Sequence, residues 1–221
     1  PGLDIVGFME PAAEVGGDYY DVLQKDGRVK IAIGDVTGHG LESGILTVAT
    51  QAAVRTLLES DITDPVQFLA ILNRMIYKNV ARMKSDKNLT LALLDYADGI
   101  LRLSGQHEYV ILVRQGGELE LIDTIDLGFP IGLDGEIAQF VGDKEVRLLP
   151  GDMVVLYSDG ITEAENLDGQ QYGLEKLAAV VRENSQRSPA EVRDAVIYHL
   201  RQHIGAQTIY DDITLVVLKQ K

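Results

Sequence analysis

The chain has 221 residues, 46% of them hydrophobic and 24% charged, a balance typical of a globular protein with a substantial core. Its net charge of −14 argues against a nucleic acid or an anionic membrane as partner, because both would repel it. That charge suits a protein that collects cations, although acidity also serves solubility alone. The absence of cysteine excludes disulfides, thiolate metal sites and a cysteine nucleophile, and it fits the cytoplasm.

The two ends and the longest apolar run bear on how the chain is organised. The longest stretch without a charged residue, 43–54, is too short to span a bilayer, so no transmembrane helix is predicted. No basic and then apolar leader opens the chain, Pro1 is not an initiating Met, and a strand pattern begins at Leu3. We therefore expect residues 1–221 to be one domain, cut from a longer protein or processed.

The first third of the chain predicts strands at 4–9, 19–23 and 29–33. The turn Lys25-Asp26-Gly27-Arg28 is typical of a two-residue hairpin, so the second and third strands should be antiparallel neighbours. The start of one strand then lies beside the end of the other. We therefore expect Asp18 and Asp35 at the same edge of a sheet.

Two helices are predicted next. Residues 41–59 are apolar nearly all round, with alanines that permit close contact, so this helix is expected to be buried. Asp64-Pro65-Val66-Gln67 is a strong helix start, with Asp as N-cap, Pro at the first position and Gln reaching back. This second helix should run to about Met83.

The remaining sequence alternates short strands and turns before two more helices. Strands are predicted at 89–96, 100–104, 110–114, 118–122, 137–141, 145–149, 153–157 and 213–218. Helices are predicted at 173–183 and 188–204, and the capping box Ser188-Pro189-Ala190-Glu191 opens the second. The pattern predicts an α+β fold, an antiparallel β-sandwich flanked by helix pairs in α-β-β-α layers.

Four aspartates share one situation, at the ends of apolar strands: Asp18, Asp35, Asp159 and Asp211. Taken singly, each is more easily explained as a turn residue that accepts backbone hydrogen bonds. Four carboxylates converging on one end of a sheet would repel one another, and divalent cations would remove that repulsion. All-oxygen ligands with little His and no Cys favour Mg²⁺ or Mn²⁺ over zinc. One central Asp bridging two ions about 3.5–4 Å apart would let them activate a water and hold a phosphoryl oxygen.

These residues lie in motifs that resemble one family in its own order. The motifs are Gly16-Gly17-Asp18-Tyr19-Tyr20-Asp21, Gly34-Asp35-Val36-Thr37-Gly38-His39-Gly40, Pro150-Gly151-Asp152 leading to Tyr157-Ser158-Asp159-Gly160-Ile161-Thr162-Glu163, and Asp211-Asp212-Ile213-Thr214. They resemble the PPM-type (phosphatase 2C-like) metal-dependent protein Ser/Thr phosphatases, in the bacterial SpoIIE/RsbU-like branch. The resemblance covers the whole chain. It implies a two-sheet sandwich with helices outside and a two-metal site at one end.

Carried over residue by residue, the resemblance implies a ligand set for two Mn²⁺ or Mg²⁺ ions. The ligands are Asp18, Asp35, the backbone carbonyl of Val36, Asp159 and Asp211, with Asp35 bridging the ions and thus central to catalysis. Asp21 and Asp212 are interpreted as second-shell or turn residues. Adjacent residues on an extended chain point opposite ways, so Asp211 rather than Asp212 is expected to face the metals.

Other polar residues near these motifs receive structural interpretations. His39 is tempting as a general acid. Eukaryotic-type relatives, however, carry a His where Thr37 stands and a phosphate-binding Arg near the first metal-binding acid, whereas no Arg precedes Arg28 here. His39 is therefore interpreted as a turn residue, and protonation of the leaving group is expected to rely on water. The other histidines are expected to be structural and two glutamates to lie in a solvated loop: His107, His199, His203, Glu163 and Glu165.

The resemblance implies a phosphatase that removes phosphate from Ser or Thr on a regulatory protein, by attack of metal-bound hydroxide. The usual substrates in this branch are small phosphorylated anti-sigma-factor antagonists. The phosphatase domain is usually the C-terminal output of a cytoplasmic sensor protein, with which the start at Pro1 agrees. Two alternatives remain: a catalytically weak PPM-like binding or regulatory module, and a metal-dependent nuclease, which the acidic charge disfavours.

Overall fold

The computed structural model of the protein describes residues 2–38 and 40–221. Within these residues the chain divides into two compact units, each built on one five-stranded antiparallel sheet. The first unit comprises 14–107 and 124–147, and the second comprises 2–13, 108–123 and 148–221. With five α-helices beside the two sheets in the described residues, the predicted α+β class is confirmed.

The first unit contains a sheet with two long helices. Its strands are β2 (Asp18–Lys25), β3 (Arg28–Val36), β4 (Leu89–Ala97), β5 (Ile100–Gln106) and β8 (Asp143–Arg147), hydrogen-bonded in that order. The predicted β2–β3 hairpin is confirmed, because Asp26 and Gly27 both have positive φ, 48° and 79°, as the favoured two-residue hairpin turn requires. The pair Asp98 and Gly99 closes the β4–β5 hairpin in the same way, at 50° and 78°.

The two helices of the first unit are α1 (Leu41–Glu59) and α2 (Pro65–Met83), with the predicted bounds. Asp64 caps α2, because its Oδ2 accepts a hydrogen bond from the backbone N–H of Gln67 at 2.8 Å. Helix α2 ends where Lys84 takes the left-handed conformation, with φ 55°. Its apolar face is buried in the core of the unit: Phe68, Leu69, Leu72, Ile76 and Val80.

The expectation that α1 is buried all round is wrong. Its buried face contains Leu46, Val54 and several small or polar residues, whereas Leu41 and Val48 are 73% and 64% exposed. Ile45 is exposed as well. The apolar residues of α1 are distributed around the helix, but only one of its faces is covered within the unit. Apolar composition therefore did not indicate which face packs.

The second unit contains the other sheet. Its strand order is β1 (Leu3–Glu10), β10 (Ile213–Gln220), β9 (Met153–Tyr157), β6 (Val110–Val113) and β7 (Leu119–Ile122). Its helices are α3 (Asp159–Thr162), α4 (Leu174–Asn184) and α5 (Pro189–Ile204). The predicted capping box is confirmed, because Ser188 Oγ accepts from the N–H of Glu191 and Glu191 Oε2 accepts from the N–H of Ser188. Apolar residues of α4, α5, β9 and β10 form the core of this unit.

Three local expectations differ from the structure. Residues 138–140 form a 3₁₀ turn rather than a strand, because Phe140 stacks on Phe129 with ring centroids 4.9 Å apart. The strand predicted at 145–149 is β8, two residues earlier, because the N–H of Leu149 turns to donate to Asp152 Oδ2. Helix α3 was not predicted.

In the described residues no helix combines the length and the apolar content that crossing a bilayer requires.

Candidate metal centre

Two of the predicted ligands face each other in the first unit. Asp18 is the first residue of β2, Asp35 is next to last in β3, and the strand register pairs them directly. Facing residues of an antiparallel pair have side chains on one face with Cβ atoms about 4.5–5.5 Å apart, and like charges there are destabilising. Asp18 is only 5% exposed, so water screens this pair poorly. A divalent cation is the natural partner for two such carboxylates.

Gly17 keeps the space beside Asp35 and Val36 open. A Cβ on Gly17 would lie 2.7 Å from the carbonyl oxygen of Val36 and 3.1 Å from Asp35 Oδ1. Any other residue there would therefore press on both groups that the resemblance assigns as ligands. The N–H of Val36 donates to the carbonyl of Gly17 at 3.2 Å and holds the two segments together. An all-oxygen set with an open cradle fits a hard divalent cation.

The turn that follows β3 is fixed from two sides. Thr37 donates its N–H to the carbonyl of Asn88 at 2.9 Å, and Lys87 Nζ donates to the carbonyl of Thr37 at 2.7 Å. Ser43 Oγ, in the first turn of α1, donates to the carbonyl of Gly38 at 2.9 Å. The segment carrying Asp35 and Val36 is thus tied both to the chain before β4 and to α1. His39 lies outside the described residues.

The other two predicted ligands lie close together in the second unit. Asp159 begins α3 directly after β9, and Asp211 precedes β10. Burial raises the pKa of Asp159, and the carboxylates of Asp211 and Glu163 raise it further. These neighbours make the charged form of Asp159 costly without a cation. Gly160 permits the close approach, because a Cβ there would collide with the backbone carbonyl of Asp212.

Asp21 and Asp212, interpreted as second-shell or turn residues, have protein partners. Asp21 accepts two hydrogen bonds from Arg55 of α1, at 2.9 and 3.0 Å. Asp212 is buried, and its Oδ1 accepts from the N–H of Ala12 at 2.7 Å. Its own N–H donates to Asp211 Oδ1 at 2.8 Å. Asp211 is exposed whereas Asp212 is buried, and both precede the first residue of β10, Ile213.

The remaining histidines and glutamates lie in varied surroundings. His203 Nε2 is 2.8 Å from the carbonyl oxygen of Gln170. His199 is exposed on α5, with its ring edge against Tyr198. Glu163 is exposed, as expected for a loop residue, and Glu165 pairs with Gln171 in an isolated β-bridge. His107 Nδ1 lies 2.7 Å from Thr90 Oγ1.

The sequence analysis missed Glu108 and Thr90. Glu108 is half-buried, and its pKa is raised by burial first and then by the carboxylates of Asp159 and Glu163. Thr90 is the cross-strand partner of Asp35 on β4. The available signal for Glu108 was the polar stretch 106–108 between two apolar strands. Thr90 gave no signal, because its position depends on the register of β4.

The described part of the chain presents the predicted ligands as two pairs, one in each unit. No group of three or more His, Asp or Glu side chains in these residues is placed to hold a metal ion on its own. A cavity of about 250 Å³ in the second unit adjoins Asp211 and is lined by both acidic and apolar residues.

A protein-family model matches most of the chain. The model described as Stage II sporulation protein E (SpoIIE) matches residues 25–221. The chain belongs to the SpoIIE family. This confirms the resemblance to PPM-type phosphatases of the SpoIIE/RsbU-like branch.

This SpoIIE family member is similar along nearly its whole length to one curated relative. Over 232 residues it is 29% identical to phosphoserine phosphatase RsbU of Bacillus subtilis (strain 168). The match covers 99% of this chain but 64% of RsbU, so the chain spans less than two thirds of that relative.

Solved structures share the SpoIIE family member's fold. The SiaA-PP2C domain of Pseudomonas aeruginosa has a TM-score of 0.85 and 22% identity, covering 98% of this chain and 86% of that one. RsbX, solved in complex with magnesium, has a TM-score of 0.70 and 11% identity, covering 100% and 96%. At such identities the likeness shows the fold alone.

Proposed function

We propose that the chain is a metal-dependent protein Ser/Thr phosphatase that hydrolyses phosphoserine or phosphothreonine on a regulatory protein. The observation that carries the proposal is the facing pair Asp18 and Asp35 beside the open cradle at Gly17. Membership of the SpoIIE family supports it, as does the name of the relative RsbU. Two facing carboxylates and the absence of a nucleophilic Cys suit hydrolysis by an activated water.

The proposed ligands are the side chains of Asp18, Asp35, Asp159 and Asp211 and the carbonyl of Val36, for two Mn²⁺ or Mg²⁺ ions. When bound, such cations activate a water and neutralise charge on the phosphoryl oxygens. Asp35 is proposed to hold both ions. The magnesium in the RsbX structure supports the choice of ion for a chain of this fold.

The chain's own residues prepare this chemistry. Because Gly17 has no side chain, nothing displaces the Val36 carbonyl from that side, and Lys87 and Ser43 hold the carbonyls of Thr37 and Gly38 in fixed directions. Burial first, and then the carboxylates of Asp211 and Glu163, raise the pKa of Asp159. A cation bound beside Asp159 would offset that cost of charge.

The finer assignments are proposals as well. The substrate is proposed to be a small phosphorylated anti-sigma-factor antagonist, in line with the resemblance to the RsbU-like branch. We further propose that the chain works in the cytoplasm and responds to a sensor domain upstream in the full-length protein. The cavity beside Asp211 is where the residues that flank the phosphorylated side chain would lie.

Hydrolysis of p-nitrophenyl phosphate, measured with and without Mn²⁺, tests the proposal against a catalytically weak binding module. A phosphatase gives turnover that requires Mn²⁺ and disappears in Asp35→Asn. A binding module gives Mn²⁺ binding without turnover. A phosphoserine peptide in place of the small ester then tests whether a protein segment is accepted.

A further inference from the structure

A row of polar side chains crosses the sheet of the first unit at its metal-binding edge. Asp18 faces Asp35, and Asp35 faces Thr90 on its other side. Facing residues in antiparallel strands point to the same side of the sheet. His107 extends the row, because its Nδ1 lies 2.7 Å from Thr90 Oγ1. His107 is thus hydrogen-bonded to Thr90, and Thr90 is the residue that faces the Asp35 carboxylate across β3 and β4.

The backbone of His107 is held in place by a single buried side chain. Thr124 is 1% exposed, and its Oγ1 accepts the N–H of His107 at 2.9 Å. The same hydroxyl donates to the carbonyl of His107 at 2.6 Å. Both polar backbone groups of His107 are therefore fixed by Thr124. A residue that orients a ligand needs this kind of support, since its own position must be set before the ligand's can be.

We propose that Thr90 and His107 are positioning residues that act as one hydrogen-bonded unit on the Asp35 carboxylate and set its affinity for divalent cations. The inference rests on the proposed function, which makes Asp35 a ligand. His107 does not touch the cation or the substrate. It acts through Thr90, and Thr90 acts on the carboxylate that it faces across β3 and β4.

The proposal requires one particular arrangement of donors and acceptors among these groups. A hydroxyl has one proton and a carboxylate only accepts. With its proton on Nδ1, His107 donates to Thr90 Oγ1, and the Thr90 hydroxyl proton is then directed to Asp35. The reverse arrangement would turn lone pairs of Thr90 toward the carboxylate. A carboxylate that binds two cations needs both oxygens in fixed directions, and partners that orient a metal ligand commonly change affinity about 10–100-fold.

A purely structural role predicts something different. In that case Thr90 and His107 only tie β4 to the segment after β5, and replacing either lowers the melting temperature without altering cation binding. Mn²⁺ affinity and thermal stability must therefore be measured on the same variants. The probe is Mn²⁺ alone, detected by the electron paramagnetic resonance signal of the free ion in solutions of the 221-residue chain.

Thr90→Val and His107→Ala should each raise the Mn²⁺ dissociation constant by about 10-fold or more. Thr90→Ser keeps the hydroxyl and His107→Asn keeps a donor near the position of Nδ1, so both should stay close to the unaltered chain. The double variant Thr90→Val/His107→Ala should bind no more weakly than Thr90→Val alone, because His107 is proposed to act on Asp35 only through the Thr90 hydroxyl. His199→Ala, which changes an exposed histidine of α5, is the control.

Two results would overturn the proposal: an unchanged Mn²⁺ dissociation constant in a folded Thr90→Val, or losses that add fully in the double variant. If Thr90→Val does not fold, His107→Ala against His107→Asn decides the question by the same measurement. The readout needs no turnover. A chain that binds Mn²⁺ with this pattern of variants but hydrolyses no phosphate ester refutes the phosphatase proposal and leaves this one standing.

Discussion

Arg55 of α1 binds Asp21 of β2 through two parallel hydrogen bonds, from Nε to Oδ2 and from Nη2 to Oδ1. The Asp21 side chain is 9% exposed, so removal of Arg55 leaves a charge with little water around it. Arg55→Ala should therefore lower the melting temperature, and adding Asp21→Asn should recover part of the loss. Differential scanning calorimetry checks both. Arg74→Ala, an exposed arginine of α2, is the control. Equal melting temperatures for the single and double variants would contradict the account.

Asp35→Asn should abolish phosphatase turnover while the fold stays intact. The substitution removes one of two facing like charges, so the free energy of unfolding of the metal-free chain should stay the same or rise by up to about 1 kcal/mol. Urea unfolding in the presence of a chelator measures the free energy of unfolding, and p-nitrophenyl phosphate hydrolysis measures turnover. Asp4→Asn, an exposed position of β1, should change neither. Near-normal rates at saturating Mn²⁺ would remove Asp35 from the centre of the site.

Substitutions of Asp211 and Asp212 should have different effects on Mn²⁺ binding and activity. Asp211→Asn is expected to weaken Mn²⁺ binding and to cut activity severely. Asp212→Asn should be milder, since its amide oxygen can still accept from the N–H of Ala12. Asp212→Ala loses that bond and should cost about 1 kcal/mol of unfolding free energy. Mn²⁺ titration and chemical denaturation distinguish these effects. Greater damage to metal binding from Asp212→Asn would place the proposed ligand one residue later.

Gly17→Ala tests the open cradle. The added methyl would press on the Val36 carbonyl, so the backbone must shift, at a cost of about 1–3 kcal/mol. Mn²⁺ affinity should fall as well, because the carbonyl and Asp35 are both displaced. Gly116→Ala, where a Cβ meets nothing within 4 Å, is the matched control. A Gly17→Ala chain with unchanged affinity in calorimetric titration would show that the space there is not needed.

The exposed apolar face of α1 bears on regulation. A rigid-body shift of α1 with α2 would move the segment that follows β3, because Ser43 of α1 is hydrogen-bonded to Gly38. Conservative changes at Ile45 and Val48 should then alter the Mn²⁺ dependence of the full-length protein but not the stability of the 221-residue chain. Identical Mn²⁺ titrations of variants and unaltered protein in both contexts would mean that the two helices are static scaffold.

Local signals were sufficient for much of the fold. The Asp26-Gly27 turn and the Ser188 capping box are predictable because the backbone geometry that each requires is met by few residue types. Residues 137–141 were not predictable in this way. Their apolar residues suit a strand equally well, and the stacking of Phe140 on Phe129, 11 positions away, decides otherwise.

In the candidate site, too, features set by local sequence were predictable and features set by distant contacts were not. Hairpin chemistry alone places Asp18 and Asp35 at one edge, and the structure pairs them. Thr90 was not predictable, because nothing in the sequence fixes the register between β3 and β4, which are separated by two helices. Glu108 was missed since its significance depends on Asp159, which is distant in sequence. Contacts between distant segments are set by packing of whole elements rather than by local pattern.

The two-residue turn at Asp26-Gly27 has a consequence for how such a chain can vary. It joins two strands whose far ends carry Asp18 and Asp35, with residues 18–25 paired one by one to residues 28–35. One residue inserted into either strand would turn one carboxylate to the opposite face of the sheet. Matched single insertions in both strands would turn the pair away from Thr90 together. Among homologues, the two strands of this hairpin should therefore tolerate substitution far better than single-residue insertions or deletions within either strand.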